Sequence, residues 1–155
     1  MIRTAVLSVQ DSTAAVGTGD AAVAAVREIL ATGPYIEVDY QQVPDEQAIV
    51  RARLRLWADD GSADLVLTLG GIGAAIRHRT PDATLEVVER QFPGIPEALR
   101  AAGATVDPSA GLWRTAAGVR RGTLVVNLPD EPRSVHVVLT AVSGLLVSAV
   151  RSICG

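Results

Sequence analysis

A short apolar segment in the middle of the chain is followed by glycines and then by a helix start. Residues 65–68 (LVLT) show no polar alternation, which is typical of a strand covered on both faces in a parallel sheet. The turn Gly70–Gly73 comes next, where the backbone can lie close to a ligand because no Cβ intervenes. Thr80-Pro81-Asp82 then predicts a helix start, with Thr80 as N-cap and an acid beside the positive helix end. This order predicts an α/β unit with an anion-binding crevice.

Apolar runs and helical periodicity alternate along the rest of the chain. The predicted strands are Ala5–Val9, Tyr35–Val43, Leu65–Thr68, a short edge strand Arg114–Gly118, and Thr123–Leu128. The predicted helices are Ala21–Ala31 capped by Asp20, one from Pro44-Asp45-Glu46 to Asp59, Pro81–Gln91, Pro96–Ala102, and one from an N-cap at Ser134 to about Ser152. This alternation predicts a three-layer α/β fold, with a mostly parallel central sheet and helices on both faces. We expect one domain over residues 1–155.

Composition and charge restrict the partners and the compartment. The net charge of −3 and the pI near 5.3 argue against non-specific nucleic-acid binding. The single cysteine, Cys154, has no partner in the chain for a disulfide, which suits a reducing cytosol. No signal peptide is evident, and no stretch approaches the roughly 20 apolar residues that span a bilayer. We therefore expect a cytoplasmic protein with no membrane and no nucleic-acid partner.

Several polar and glycine segments are predicted to meet at the carboxyl ends of the strands. They are Asp11 and Ser12, Asp45, Gly70–Arg79 and Asn127–Asp130. Glycine amides and a helix N-terminus suit phosphate oxygens, and carboxylates suit Mg²⁺. A GGxG turn is also common in ordinary strand–loop–helix connections, so it does not by itself define a phosphate site.

The motifs in combination are more specific. The chain resembles the MoaB/Mog family of molybdopterin-binding proteins, in which DLVLTTGGTG, RDVTPEAT, PGI-E-R, SR…G and NLPG-P-S follow one another. The corresponding segments here are Asp64–Gly73, Arg77–Thr84, Pro93-Gly94-Ile95 with Glu97 and Arg100, Arg114 with Gly118, and Asn127-Leu128-Pro129 with Pro132 and Ser134. The family's SDR…D is matched by Ser8, Asp11 and Asp20, and its VPDE by Val43–Glu46.

The resemblance implies a molybdopterin-binding-domain-like fold and adenylyl transfer from Mg-ATP to the terminal phosphate of molybdopterin, late in molybdenum-cofactor synthesis. It also implies a homotrimer. Catalytic roles would fall on Asp45, His78 and Asp82, with Asp45 as a magnesium ligand. Substrate-binding roles would fall on Asp11, Ser12, Asp20, Gly70, Gly71, Ile72, Gly73, Thr80, Pro81, Arg114, Asn127, Pro129, Asp130 and Ser134.

Five residues depart from the family pattern within the predicted crevice. Ile72 replaces a threonine, His78 an aspartate, Trp113 a serine, Asp130 a glycine, and Ser12 an arginine. Histidine is a poor ligand for Mg²⁺, which prefers hard oxygen donors. Asp130, followed by Glu131, would place negative charge where a phosphate is expected. Each change also has a mild interpretation: Ile72 packs inward, Trp113 lies at a subunit interface, Asp130 points to solvent, and His78 belongs to a solvated basic loop.

Two functional hypotheses follow. The first is a molybdopterin adenylyltransferase with an altered site, favoured by the retained Asp45, Thr80, Asp82 and turn glycines. The second is a paralogue that binds a pterin or nucleotide phosphate without turnover, favoured by the departures. A plain dinucleotide-binding domain is a weaker third idea, because no GxGxxG follows the first strand.

Overall fold

The computed structural model describes residues 1–13, 17 and 19–155, and in these residues a six-stranded sheet is flanked by helices. The strands are β1 (Ile2–Gln10), β2 (Tyr35–Pro44), β3 (Leu65–Leu69), β4 (Arg90–Gln91), β5 (Ala117–Arg120) and β6 (Thr123–Leu128). The helices are α1 (Asp20–Leu30), α2 (Gln47–Asp59), α3 (Thr80–Val87), α4 (Gly94–Gly103) and α5 (Pro132–Cys154), with a 3₁₀ turn at Pro108–Leu112.

The sheet has the order β2-β1-β3-β6-β5-β4. The first four of these strands are parallel neighbours, and β5 and β4 extend the sheet antiparallel. Val66 of β3 pairs with Ala5 of β1 on one side and with Val125 of β6 on the other. The carboxyl ends of β1, β2, β3 and β6 therefore lie at one edge of the sheet. The predicted mostly parallel α/β fold is confirmed.

The sheet separates two apolar clusters, because successive strand residues point to opposite faces. Leu65, Leu67 and Leu69 of β3 face the cluster built with α1, α4 and α5. Val66, between them, joins the opposite cluster with Leu54 of α2 and with residues of α3. Both faces of β3 are fully buried, which explains why its sequence lacks polar alternation. The prediction of a single domain over residues 1–155 stays a prediction.

Four elements differ from the sequence prediction around the edge of the sheet. Strand β4 and the 3₁₀ turn were not predicted, and α3 ends at Val87 instead of Gln91. The predicted edge strand at Arg114–Gly118 is wrong in position, because β5 starts at Ala117. Residues 114–116 form a loop there: the Arg114 amide donates to the Ile72 carbonyl, and the Ala116 amide donates to Asn127 Oδ1.

Three predicted helix caps are also wrong. Asp20 is the first residue of α1, which is capped by Gly19. Thr80 is the first residue of α3 and is buried, with Arg79 before it as N-cap. Helix α5 begins two residues before Ser134, and its cap is the carboxylate of Glu131, which accepts from the Ser134 amide. In each case the helix extends further toward its N-terminus than predicted.

Helix α5 has 23 residues and, by length and composition alone, is long and apolar enough to cross a membrane. The expectation that no stretch reaches this length is therefore wrong. Val135, Val138, Leu139 and Leu146 of this helix pack in the core against the sheet. Core packing thus accounts for one apolar face of α5, as in an amphipathic helix that packs on the core of a globular domain.

Candidate functional site

The glycine turn after β3 forms the floor of a crevice at the carboxyl edge of the sheet. Gly70 and Gly71 have φ values of +96° and +72°, a backbone conformation that favours glycine. The Gly70 amide donates to the Leu128 carbonyl at 3.0 Å, which joins this turn to the end of β6. A Cβ at Gly71 would overlap the hydroxyl of Thr80. The turn therefore packs closely against the start of α3, whereas the sequence predicted a close approach to a ligand.

A cavity of about 210 Å³ lies on this turn. Its lining includes Gly70, Gly71, Ile72, Gly73, His78, Asp107, Trp113, Pro129, Asp130, Glu131 and Ser134. Pockets for whole drug-sized ligands measure about 300–1,000 Å³. A cavity of this size therefore suits a phosphate group and part of an attached ring system.

Asp45 lies between β2 and α2, at the back of the crevice, and its side chain is only 8% exposed. Its amide donates to the Gln10 carbonyl at 3.0 Å, which fixes the loop against the end of β1. Its Oδ2 is 3.1 Å from Nδ1 of His78. Its Oδ1 is 3.4 Å from the amide of Arg79, so the buried carboxylate is bonded on both oxygens. Asp45 thus links the ends of strands β1 and β2 to the basic loop formed by Arg77, His78 and Arg79.

Asp11 stands at the end of β1 and faces the same loop. Its Oδ1 accepts from the Thr13 amide at 2.9 Å, and Arg77 contacts its Oδ2 at 3.1 Å. The Thr13 hydrogen bonds and the Arg77 guanidinium hold the pKa of Asp11 far below its ordinary value. His78 Nε2 lies 3.8 Å from Asp11 Oδ2. Asp11 is therefore an ionised group already paired with the chain's own cation.

Asp82 and Arg114 form a pair on the opposite side of the basic loop. Arg114 Nη2 donates to Asp82 Oδ2 at 2.7 Å, and its Nη1 donates to the His78 carbonyl at 3.1 Å. The Arg114 amide donates to the Ile72 carbonyl at 2.8 Å. Arg100, named in sequence only as part of the PGI-E-R motif, donates from Nε to the Trp113 carbonyl and holds this loop from behind. These contacts fix residues 113–114 relative to the glycine turn.

Asp130 lies beside the glycine turn and is exposed to solvent, as the mild interpretation of this departure expects. Its Oδ2 lies 3.0 Å from where a Cβ of Gly70 would stand. Desolvation in the crevice raises the pKa of this carboxyl, and the neighbouring Asp11 and Asp45 add to the effect. Glu131, in contrast, caps α5 through the amides of residues 133 and 134. Both residues line the cavity, but the carboxylate of Glu131 is already bonded at the start of α5.

Comparison with known proteins decides the family. The family model described as "Probable molybdopterin binding domain" matches residues 5–146. The chain belongs to this molybdopterin-binding family. It is 37% identical over 144 residues to the molybdopterin adenylyltransferase of Escherichia coli K12, covering 91% of this chain and 73% of that protein. It is likewise 37% identical to that of Helicobacter pylori J99 over 120 residues, or 77% of this chain and 68% of that protein.

Solved structures of the molybdopterin-binding family show the same fold. The molybdopterin biosynthesis enzyme MoaB of Thermus thermophilus superposes with a TM-score of 0.88 at 41% identity, covering 99% of this chain and 96% of that one. The molybdopterin biosynthesis Mog protein of Mycobacterium ulcerans gives 0.85 at 28% identity, with 99% of each chain covered. The family resemblance carried by the motifs is confirmed.

Two of the departures from the family pattern are explained by packing within the chain. Ile72 is 4% exposed and belongs to the core, so the interpretation that it packs inward is confirmed. Trp113 is 9% exposed, and its indole packs against Gly103 within the same chain. The Trp113 ring thus fills space beside α4, and the residue also lines the crevice.

Asn127 is placed inside the molecule instead of in the crevice. Its Nδ2 donates to the hydroxyls of Thr68 and Thr84, and its Oδ1 accepts from the Ala116 amide. Both amide hydrogens are therefore used within the protein, and the residue is fully buried. This arrangement ties β6 to β3 and α3, so Asn127 positions the crevice instead of offering it a free donor.

The remaining predicted site residues lie at its margins. Ser12 and Asp20 are exposed next to residues 14–16 and 18, which are outside the described part of the chain. Pro81 is buried and lines a neighbouring groove of about 430 Å³ with Arg100 and Arg114. Asp107 also lines the cavity, although no sequence motif identified it as a site residue. Its carboxylate caps the 3₁₀ turn.

The residues present do not form a protein-held magnesium site of the kind the resemblance implies. Mg²⁺ takes oxygen ligands at about 2.1 Å in near-octahedral geometry. Asp45 and Asp11 are the carboxylates best placed for it, and both are paired with His78 or Arg77. In residues 1–13, 17 and 19–155 no group of three His, Cys, Asp or Glu side chains has metal-binding geometry. Asp45 as a metal ligand stays a prediction that this arrangement does not favour.

Proposed function

We propose that this chain binds molybdopterin and transfers AMP from ATP to its terminal phosphate. The observation that carries the proposal is that Asp45 and the start of α3 lie against the glycine turn, which lines the cavity, in a chain of the molybdopterin-binding family. The curated relatives at 37% identity are named as enzymes of this activity.

In the proposed reaction a phosphate oxygen of molybdopterin attacks the α-phosphorus of ATP. The new P–O bond forms as the bond to the β-phosphate oxygen breaks, and pyrophosphate leaves. The attacking phosphate is already anionic at neutral pH, so no general base is needed. Catalysis then consists of positioning and charge stabilisation. Magnesium enters in this proposal bound to the phosphates of ATP.

The side chains of the crevice serve that positioning. The Gly70–Gly73 turn lines the cavity, and its glycines leave room for Asp130, Thr80 and His78 to pack closely around it. Thr80 Oγ1 is fully buried beside Gly71 and has no hydrogen-bond partner within the described part of the chain, so Thr80 supports the turn from inside the molecule. Arg77 leaves 54% of its side chain exposed at the rim, where it can attract phosphates.

Binding of the pterin without turnover is the less favoured function. It rested on five departures from the family pattern, but Ile72 and Trp113 belong to the packing of the chain and do not obstruct the turn. His78 and Asp130 remain as changes of charge in the crevice.

Assembly and compartment complete the proposal. A homotrimer is proposed from the family resemblance, and an apolar groove of about 680 Å³ supports it. The groove lies between the segment 90–95 and the C-terminal half of α5, with Phe92, Ile95, Leu145 and Ile153 in its walls. A cytoplasmic location is proposed because Cys154, the only cysteine, is an exposed free thiol.

Pyrophosphate release tests the proposed function. The protein is incubated with molybdopterin and Mg-ATP, and we expect release that depends on molybdopterin. Asp45→Asn should lower kcat about a hundredfold, because the loss of its charge frees the basic loop. Asp60→Asn, on the opposite edge of the sheet, serves as the control and should leave kcat unchanged. Tight molybdopterin binding without pyrophosphate release would instead establish the alternative function, which is binding of the pterin without turnover.

A further inference from the structure

The imidazole of His78 occupies the space between two carboxylates of the crevice. Its Nδ1 is 3.1 Å from Asp45 Oδ2, and its Nε2 is 3.8 Å from Asp11 Oδ2. The ring packs closely against Gly73, because its Cδ2 lies 3.0 Å from where a Cβ of that residue would stand. The His78 side chain is only 17% exposed. One ring therefore spans Asp11 and Asp45, which come from the ends of neighbouring strands β1 and β2.

A divalent cation between these carboxylates would need oxygens that are already bonded. Asp45 uses Oδ2 on His78 and Oδ1 on the Arg79 amide. Asp11 uses Oδ1 on Thr13 and Oδ2 on Arg77. A cation about 2.1 Å from an oxygen of each would need those oxygens within about 4.2 Å of each other, and the imidazole now stands between them. Binding a metal here thus requires the ring and the Arg77 guanidinium to leave.

We propose that His78 stands in place of a protein-held divalent cation between Asp11 and Asp45, so that this chain binds nucleotide phosphate with its own cationic side chains. The inference rests on the proposed function for the identity of the ligand, ATP. Arg77 and Arg79 flank His78 in the same loop, and Arg114 donates to the His78 carbonyl from the other side. These guanidinium groups supply positive charge near the glycine turn, and a bound phosphate would compete for Arg77 with Asp11 and for Arg114 with Asp82.

The first experiment measures cation binding in the absence of nucleotide. Free Mn²⁺ gives a six-line electron paramagnetic resonance signal that is lost when the ion binds protein. We expect wild-type protein to leave this signal unchanged and His78→Asp to diminish it, because a third carboxylate replaces the ring. His136→Asp, on the exposed surface of α5, is the matched control and should behave as wild type. Loss of the signal with wild-type protein would overturn the proposal.

A second variant separates the effect of removing the His78 ring from the effect of adding a carboxylate in its place. His78→Ala removes the ring without adding a ligand, so it should bind Mn²⁺ more weakly than His78→Asp but measurably. Circular dichroism and urea unfolding establish that each variant is folded. If both folded variants leave the Mn²⁺ signal unchanged, His78 does not occupy a cation position, and the proposal fails.

The second experiment measures ATP binding by calorimetry with Mg²⁺ and with EDTA. Wild-type affinity should change by less than about threefold, whereas His78→Asp should lose about tenfold or more in EDTA, because the added carboxylate repels phosphate. A wild-type protein that binds ATP only with Mg²⁺ would contradict the inference. The Mn²⁺ measurement needs neither molybdopterin nor turnover. Failure of adenylyl transfer is therefore distinguishable from failure of this inference.

Discussion

At the scale of single residues, Gly71 is, with Gly70, a position where backbone conformation and close contacts together exclude any other side chain. Its φ is +72°, and a Cβ there would overlap Thr80 and lie 3.3 Å from Asp45 Oδ2. We expect Gly71→Ala to lower the free energy of unfolding by about 2 kcal/mol or more, because conformational strain and overlap add. Urea denaturation measures the loss.

Gly61 offers a control with the same backbone conformation and free space. Its φ is +69°, and a Cβ at this position would meet nothing within 4 Å. Gly61→Ala should therefore cost only the conformational term, about 1 kcal/mol. If the two variants lose the same amount, the close contact of the turn with α3 contributes nothing to stability.

Asp130 should make stability depend on pH in a direction opposite to that of a paired carboxylate. Because its pKa is raised in the folded protein, the native state holds the proton more tightly than the unfolded chain. Stability from this group is present at low pH and is lost as pH rises through the raised pKa. Asp130→Asn should therefore be more stable than wild type at pH 7, with the difference shrinking toward pH 4. Urea unfolding at both pH values measures the difference.

Asp107 is the matched control for this pH effect. Hydrogen bonds from Ser109 lower its pKa in the folded protein, so its contribution is present at neutral pH and lost as pH falls. Asp107→Asn should consequently be less stable than wild type at pH 7. A difference for Asp130→Asn that does not vary with pH would contradict the raised pKa.

The sequence predicted which residues meet in the crevice, but it did not predict which side chains bond to one another there. The strand ends place Asp11, Asp45 and His78 at one edge, and topology alone predicts this. The bridging position of the His78 ring does not follow from the sequence, because Asp11 and His78 are 67 residues apart and meet only through loop packing. The roles of Ile72 and Trp113 could not be read from the sequence either. An apolar residue in place of a polar one is expected both where a binding site has changed and where the side chain packs in the core.

At the scale of elements, the start of α5 depends on one carboxylate. Glu131 accepts from the amides of Arg133 and Ser134 at 3.0 and 2.8 Å, and these amides have no partner within the helix. Glu131→Ala should lower the free energy of unfolding by about 1 kcal/mol, the usual cost of removing an N-cap side chain. Thermal or urea unfolding is the measurement.

Glu46 provides the comparison, because it is the N-cap of α2 without a side-chain hydrogen bond. Glu46→Ala should change the free energy of unfolding by less than about 0.5 kcal/mol. Equal losses for the two variants would show that the α5 cap contributes through charge near the helix end and not through its two hydrogen bonds.

Elements with strong periodicity were predicted more closely than those fixed by distant partners. Strands β1, β2, β3 and β6 and helices α1, α2 and α5 all lie where apolar spacing placed them, within a few residues. The edge strand shifted from Arg114–Gly118 to Ala117–Arg120 because Ile72 and Asn127 bond residues 114 and 116 as a loop. Those partners are more than ten residues away, so a local pattern carries no sign of them.

At the scale of the whole molecule, α5 has more apolar surface than the sheet covers. Val135, Val138, Leu139 and Val142 face the core, whereas the C-terminal half of the helix opens onto the groove described above. An exposed apolar groove of this size is typical of an interaction surface. The occupant that the proposed homotrimer requires is a second copy of this chain.

Leu145 tests this assembly. It is 44% exposed at the groove, so Leu145→Asp should leave the isolated fold intact but place a charge in a subunit interface. Burying a leucine is worth about 1.5–3 kcal/mol, and the change should weaken association more than tenfold.

Light scattering after gel filtration should give a trimer mass for wild type and a smaller one for the variant. Leu56→Asp, on helix α2 and 51% exposed, should remain trimeric. A trimeric Leu145→Asp would place the interface elsewhere, and a monomeric wild type would end the proposal of a trimer.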